Sequence, residues 1–357
     1  MEFAFTEEQA MIGETVRTFF ADNATSDRTR AAMAATGRDA GLDRALWSAF
    51  AGELGLAGVG LPEAHGGAGL GMVEFAQVAE AAGARVAALP LLGTAMLGRA
   101  IAAGGSAAQQ EAWLPRLAAG EVIGTAAWGG ELTLAAGKLS GMVPYLPHGA
   151  AANLLLVPAA GEAWLVDLAA PGVTVTGHVT MDQTRPLATA RLDGVVAERL
   201  ADGAAALAAA HAAGWIGLAA EALGGAQAAL DRTVAYSRER VQFGRPIGSF
   251  QAYKHRLADM MVEIEQARSA VYWAACAVDE GSPEALLALH AAKAFCAETF
   301  HMCAGNMIQL HGGIGFTWEH DAHLFFKRAR SILSLYGSPQ WHRERIAALV
   351  IDQGAAA

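Results

Sequence analysis

Cysteine is scarce: the 357 residues contain three, Cys276, Cys296 and Cys303. An odd, small number in a long chain excludes a disulfide-stapled scaffold and fits the reducing cytoplasm. Basic residues are also short, with Lys plus Arg at 25 against 35 for Asp plus Glu, a formal net charge of −10. A nucleic-acid binder needs a basic face to displace counterions from phosphates, so that class is excluded. The N-terminal stretch carries acids where a secretory signal carries positive charge, and it lacks an apolar segment. Membrane-spanning runs are missing too. The nearest, residues 204–220, is mainly Ala, is interrupted by His211, Gly214 and Gly217, and ends at Glu221. A spanning helix needs roughly 20 strongly apolar residues, so a buried bundle helix is expected there and no membrane partner.

What is present is apolar, 54% hydrophobic against 17% charged, which excludes a disordered chain. The length suits two or three packed domains. Residues 1–120 read as helices joined by Gly-rich turns. Thr6 with Gln9 makes a capping-box pattern before the Met11, Ile12, Val16, Phe19, Phe20 face. Leu42, Leu46, Trp47 and Phe50 begin another face that stops near Gly55, the loop 61–71 follows, and helical spacing resumes over 72–82. Residues 121–202 change texture. Five of the 11 prolines fall between Pro144 and Pro186, and short apolar runs at 154–157, 163–166 and 173–175 alternate with turn residues, which predicts an antiparallel β domain. Residues 203–357 return to helix, with Ser282-Pro283 and Ser338-Pro339 as N-cap plus N1 proline signatures. Gly281 and Gly337 close the preceding segments. The expected fold is α+β, mostly α: a helical domain, a middle β domain and a four-helix bundle.

The motifs are more specific than that order. RVQFGRPIGSFQAYKHRLADM (240–260) and IQLHGGIGFTWEHD (308–321) resemble the two C-terminal signatures of the acyl-CoA dehydrogenase family. FTEEQAMIGETVRTFF, LWSAFAGELGLAGVGLPEAHGGAGLG and SAAQQEAWLPRLAAGEVIGTAAW resemble its N-terminal segments, in the right order, so the resemblance covers residues 5–351. It implies the three-part fold just described, non-covalent FAD between subunits, and α,β-dehydrogenation of an acyl-CoA thioester. In that chemistry a carboxylate removes the α-proton, a hydride leaves the β-carbon for the flavin, and hydrogen bonds to the thioester oxygen acidify the α-proton. By the same resemblance Arg240 and Gln242 reach the pyrophosphate and adenosine of a flavin seated mainly in the neighbouring subunit. A guanidinium offers paired donors to phosphate oxygens. Phe243 packs against the cofactor, and Phe250 with Gln251 lines the next turn. In Gln309-Leu310-His311-Gly312-Gly313 the glycines allow backbone amides close to the cofactor, and Gln309 adds a side-chain partner.

The departures are equally informative. The family's commoner base position falls in the stretch 335–339 on Gly337, and the other lies 26 residues before Arg240, on Gly214. Glycine cannot act as a base, so no catalytic residue is assigned. The segments expected around the isoalloxazine ring, here 125–137 and 142–149, do not keep the family pattern. Two accounts compete. In one, this chain pairs with a related chain that supplies base and ring pocket, as in α2β2 acyl-CoA dehydrogenases acting on steroid side-chain thioesters, and the vacated site makes room for a bulky acyl group. In the other, a relocated carboxylate such as Glu221 or Glu319 serves. A flavin-free structural subunit is the contrasting class, and the two phosphate-facing motifs argue against it. The cluster Glu319, His320, Asp321 and His323 lacks a ligand pattern and reads as a solvated helix start rather than a metal site.

Overall fold

Caps written into the sequence set the helix boundaries. Thr6 Oγ1 accepts from the Gln9 N–H and the Thr6 N–H donates to the Gln9 carboxamide, both at 3.1 Å, so the capping box opens α1 (Glu7–Asn23). The computed structural model describes residues 5–352; the extreme N-terminal residues and the end of the C-terminal segment lie outside them. After α1 come α2 (Ser26–Ala34), α3 (Arg44–Ser48), α4 (Met72–Gly83), α5 (Leu91–Gly104) and α6 (Ala107–Ala118). Gly55, at φ +65°, ends the face begun by Leu42 and Leu46. A second capping box, Ser106 with Gln109, opens α6.

The chain then turns to strands: β1 (Gly124–Ala126), β2 (Glu131–Ala135), β3 (Lys138–Pro147), β4 (Leu154–Ala159), β5 (Glu162–Asp167), β6 (Val173–Gly177), β7 (Leu187–Val196) and β8 (Glu198–Arg199). They form two four-stranded sheets, ordered β1-β4-β5-β8 and β2-β3-β7-β6. Pairing is antiparallel except between β1 and β4, which run parallel. The three apolar runs of the sequence are β4, β5 and β6. Side chains from both sheets meet in one core, including Leu139, Val143, Leu155, Val157, Val166 and Leu192.

Long helices follow: α7 (Gly203–Glu239), the two-residue pair β9 (Val241–Gln242) and β10 (Arg245–Pro246), α8 (Gln251–Asp279), α9 (Ala285–His311), α10 (Ala322–Ser334) and α11 (Pro339–Ala347). α7 is the one described helix long and apolar enough to cross a membrane, and most of its apolar window is buried in protein. Ala206, Ala210, Ala213, Ile216, Leu218, Ala219 and Ala220 are all at most 1% exposed, as a bundle helix requires. Ser338 caps α11 as expected, accepting from the Trp341 N–H at 3.2 Å. Ser282 caps the turn that leads into α9 rather than the first residue of the helix: its Oγ accepts from the Glu284 N–H at 3.2 Å, its own N–H closes α8 on Ala277 O at 2.8 Å, and α9 starts at Ala285.

The contacts divide the chain into two compact units. One gathers the chain up to Ser26, Ala76–Ala87 and everything from Trp215 onward. The other holds Asp27–Phe75 and Ala88–Gly214, including both sheets. In the first unit α9 packs on α8, α10 and α11, giving the bundle its centre.

Candidate functional site

The two signature segments meet in the first unit around a cleft of about 680 Å³. α7 ends at Glu239, and Arg240 follows at the mouth, its side chain exposed. The chain then reverses through β9 and β10. The reversal takes two residues, Phe243 at φ +56° and Gly244 at φ +75°, the left-handed pair a tight hairpin demands. α8 starts beside the cleft, with Phe250 at its N-cap position and Ala252 and Tyr253 lining the wall. From the other side comes the end of α9 with Gln309, Leu310 and His311, then Gly312 and Gly313.

Seven of the nine residues assigned from sequence therefore line one cleft: Arg240, Gln242, Phe250, Gln309, His311, Gly312 and Gly313. Phe243 and Gln251 lie outside the lining. Phe243 occupies the hairpin tip, 90% exposed, and touches Phe250 edge-on at 6.1 Å. Gln251 is exposed at the start of α8. His311 is buried rather than presented: its Nδ1 lies 2.7 Å from Met307 O, and its ring stacks on Tyr236 at 4.5 Å. Burial lowers its pKa. Sequence reasoning missed Tyr236, Tyr253 and Arg256. The signal was available for Tyr236, four residues before Arg240 on one helix face. Tyr253 donates to Leu310 O at 3.0 Å, bracing the two cleft walls, and burial pushes its phenol up to about 12.

The lining includes two guanidinium groups, Arg240 and Arg256, and no carboxylate. Arg256 donates to Asn306 at 2.9 Å, whereas the Arg240 guanidinium has no acceptor among the described residues. The N-terminus of the 29-residue α8 adds unpaired N–H groups and positive potential. Gly312 sits at φ +62°, and a side chain at Gly312 or Gly313 would enter open space. Cations, a helix N-terminus, an aromatic wall and a bare backbone edge form a donor set suited to a nucleotide pyrophosphate.

The two positions that the resemblance assigns to the base are crowded. Gly337 has φ +103°, and a Cβ there would meet Trp341 Cε3 at 2.8 Å and His342 Nε2 at 2.9 Å. Around it the Gly337 and Ile332 carbonyls accept from buried Lys293 at 3.1 and 2.8 Å, and Tyr336 O accepts from Trp215 Nε1 at 2.9 Å. Gly214, in the other unit, lies against Met96, whose Sδ a Cβ would approach to 3.0 Å. Glu221 is buried and ion-paired with Arg328. In the altered segments of the sheets, Thr125 donates to Pro147 O at 2.8 Å, and the half-exposed Trp128 packs its ring 5.1 Å from His211.

The acidic and histidine cluster at the start of α10 is a solvated helix start only in part: Glu319 is exposed, whereas Asp321 is not. Asp321 is drawn in, accepting from Arg232 at 2.9 Å and Ser26 Oγ at 2.6 Å. Asp321 stands at the N-cap position without a side-chain cap bond, and His320 Nδ1 accepts from the Ala322 N–H at 3.1 Å. Among the described residues no group of three or more His, Cys, Asp or Glu side chains is placed to hold a metal ion.

Residues 6–121 match the acyl-CoA dehydrogenase N-terminal domain, and residues 201–351 match the acyl-CoA dehydrogenase C-terminal domain. The chain belongs to the acyl-CoA dehydrogenase family. Acyl-CoA dehydrogenase IpdE2 of Mycolicibacterium smegmatis is 35% identical over 353 residues, covering 97% of this chain and 99% of the relative. Among solved structures, the Tcur3481-Tcur3483 steroid ACAD G363A variant superposes with a TM-score of 0.90 at 34% identity, over 98% of this chain and 99% of the other. The ChsE4-ChsE5 complex from Mycobacterium tuberculosis gives 0.91 at 29% identity, with the same coverage of both chains. The acyl-CoA dehydrogenase fold and the signature cleft thus occur together in this family member.

Proposed function

We propose that this chain is the base-less subunit of an FAD-dependent acyl-CoA dehydrogenase, working with a related subunit in an α2β2 assembly. The observation that carries the reading is the pair of glycines at the positions the resemblance assigns to the base, each backed by a side chain that fills the space, in a chain whose signature cleft keeps its phosphate donors. The two structural relatives named above are both pairs of differently named chains, which supports a partnered assembly.

The cleft residues fit FAD by the chemistry of their donors. Arg240 and Gln242, with Gln309 and the Gly312-Gly313 backbone, hold the pyrophosphate and adenosine portion of a cofactor whose ring lies in the partner. Bound FAD supplies the acceptor for the hydride that leaves the β-carbon of the acyl thioester. Arg240 neutralises phosphate charge, Phe250 gives the nucleotide an apolar wall, and α8 points its N-terminus at the anion. The α-proton goes to a carboxylate of the partner, since Glu221 is already engaged by Arg328. The steroid designation of one relative supports a bulky, steroid-derived acyl group. The three free cysteines fit a cytoplasmic setting.

Coexpression with a related family subunit tests this directly. The purified pair is expected to be yellow, FAD-loaded and active on acyl-CoA thioesters, while this chain alone holds FAD weakly and turns over no thioester. Normal turnover by the isolated, flavin-loaded chain would falsify the reading.

A further inference from the structure

A second cavity in the first unit, about 310 Å³, lies among α1, α4 and α7 and shares no lining residue with the signature cleft. Its floor is small and apolar, built from Ala81 of α4, Ala84 just beyond that helix, and Gly224 and Ala228 of α7. The helices approach closely there, since a Cβ on Gly224 would stand 3.0 Å from Ala84 N.

Gln77 is the anomaly. It lines this cavity, is 5% exposed, and has no hydrogen-bond partner on either its carboxamide oxygen or its nitrogen. Gly13 on α1 leaves it room, because a Cβ there would come within 2.7 Å of Gln77 Oε1. A buried carboxamide orphaned on both atoms is rare in native proteins and calls for something bound.

The charges around it point to an anion. Arg17, Arg85 and Arg232 line the cavity together with Glu80 and Asp231. Glu80 is offset by Arg268, from which it accepts at 2.7 Å, and also accepts from Tyr272 at 3.1 Å, whereas the exposed Asp231 accepts from the neutral Gln227 carboxamide at 2.9 Å. Arg232 donates to Asp321, and Arg17 to Glu14, each at 2.9 Å. Arg85 alone of the three has no hydrogen-bond acceptor among the described residues; burial and the neighbouring Arg232 disfavour its charge, and the Asp22 carboxylate nearby favours it without bonding to it.

We propose that this cavity binds a small organic carboxylate with an apolar body. The carboxylate lies against Arg85, the body rests on the alanine and glycine floor, and a polar substituent satisfies Gln77. Such a contact to guanidinium is charge-assisted, so its loss is read as a large change in affinity.

The test uses the full-length chain and 4-hydroxybenzoate, a carboxylate with an apolar ring and a hydroxyl suited to a carboxamide, with inorganic phosphate as the second arm. Calorimetry is expected to show one saturable site for 4-hydroxybenzoate, weakened roughly tenfold or more by Arg85→Ala and partly restored by Arg85→Lys. Gln77→Leu is expected to weaken binding and to raise the unfolding midpoint of the ligand-free chain, because it replaces an orphaned amide with apolar atoms; that rise also shows that the variant folds. Absence of saturable 4-hydroxybenzoate binding overturns the proposal, as does unchanged affinity in Arg85→Ala. Saturable phosphate binding without 4-hydroxybenzoate binding overturns the assigned ligand class.

Discussion

Arg328 donates to Glu221 in a pair whose side chains are 2% and 9% exposed, so the one carboxylate near Gly214 in sequence is committed to holding α10 against α7. Removing one member of a buried pair leaves the other charge stranded, at a cost of about 3–5 kcal/mol. Glu221→Gln is therefore expected to lower the unfolding midpoint sharply. In the folded, FAD-saturated complex it should leave flavin reduction unchanged. Chemical denaturation and stopped-flow absorbance read the two effects separately, and lost flavin reduction in a folded complex would place the base here.

Restoring glutamate at the vacated position is expected to fail. Gly337→Glu forces a side chain onto φ +103° and against Trp341 and His342. A strained backbone and an overfilled site each cost about 1–3 kcal/mol. The variant should be less stable than the parent and no more active without the partner. Acyl-CoA turnover by Gly337→Glu alone, at the rate of an ordinary family member, would contradict the geometry.

Arg240 is exposed and without an acceptor among the described residues, so its loss leaves the fold of this chain intact. A charge-assisted bond to phosphate contributes about 1.5–3 kcal/mol, or roughly 10- to 150-fold in affinity. In the reconstituted complex Arg240→Ala is expected to lower FAD retention on dialysis by that order, with an unaltered circular dichroism spectrum. Full retention would remove Arg240 from the cofactor site.

Stability is expected to rise with pH on both sides of neutrality. Burial pushes Lys293 down to about 7, and burial, then Lys293 and His290, push His342 down to about 3. The Nδ1 atoms of His290 and His342 lie 2.8 Å apart, a contact that needs one lone pair and one proton, so the two rings cannot both be charged. Both folded values lie below the unfolded ones, about 10.4 for Lys and 6.5 for His. The unfolded chain thus binds more protons from about pH 7 to 10 and from about pH 3 to 6.5, and stability grows through each window. Thermal midpoints should climb from pH 7 to 9.5 and drop on acidification below about 6.5. Lys293→Met should flatten the upper limb and cost about 1–3 kcal/mol at pH 9, since the Ile332 and Gly337 carbonyls lose their donor.

The sequence by itself determined whatever depends on residues a few positions apart. The Thr6–Gln9 box, the Ser338-Pro339 start, the three apolar strands and the buried character of α7 follow from local spacing, and the structure keeps them all. The family signatures also identified most of the cleft lining, because hairpin and helix start are encoded within one short segment. Tertiary structure decided the rest. Glu221 and Arg328 are 107 residues apart, and Asp321 finds Ser26 across 295, so no local pattern could reveal that either acid is occupied. The resemblance implies that Phe243 packs against the cofactor, but its exposure at a hairpin tip was visible only in the structure. Ser282 does accept from the Glu284 N–H, but the regular helix begins only at Ala285, later than the Ser-Pro signature implies. The orphaned Gln77 is visible only once three helices close around it, because burial is a property of neighbours that the chain brings together from afar.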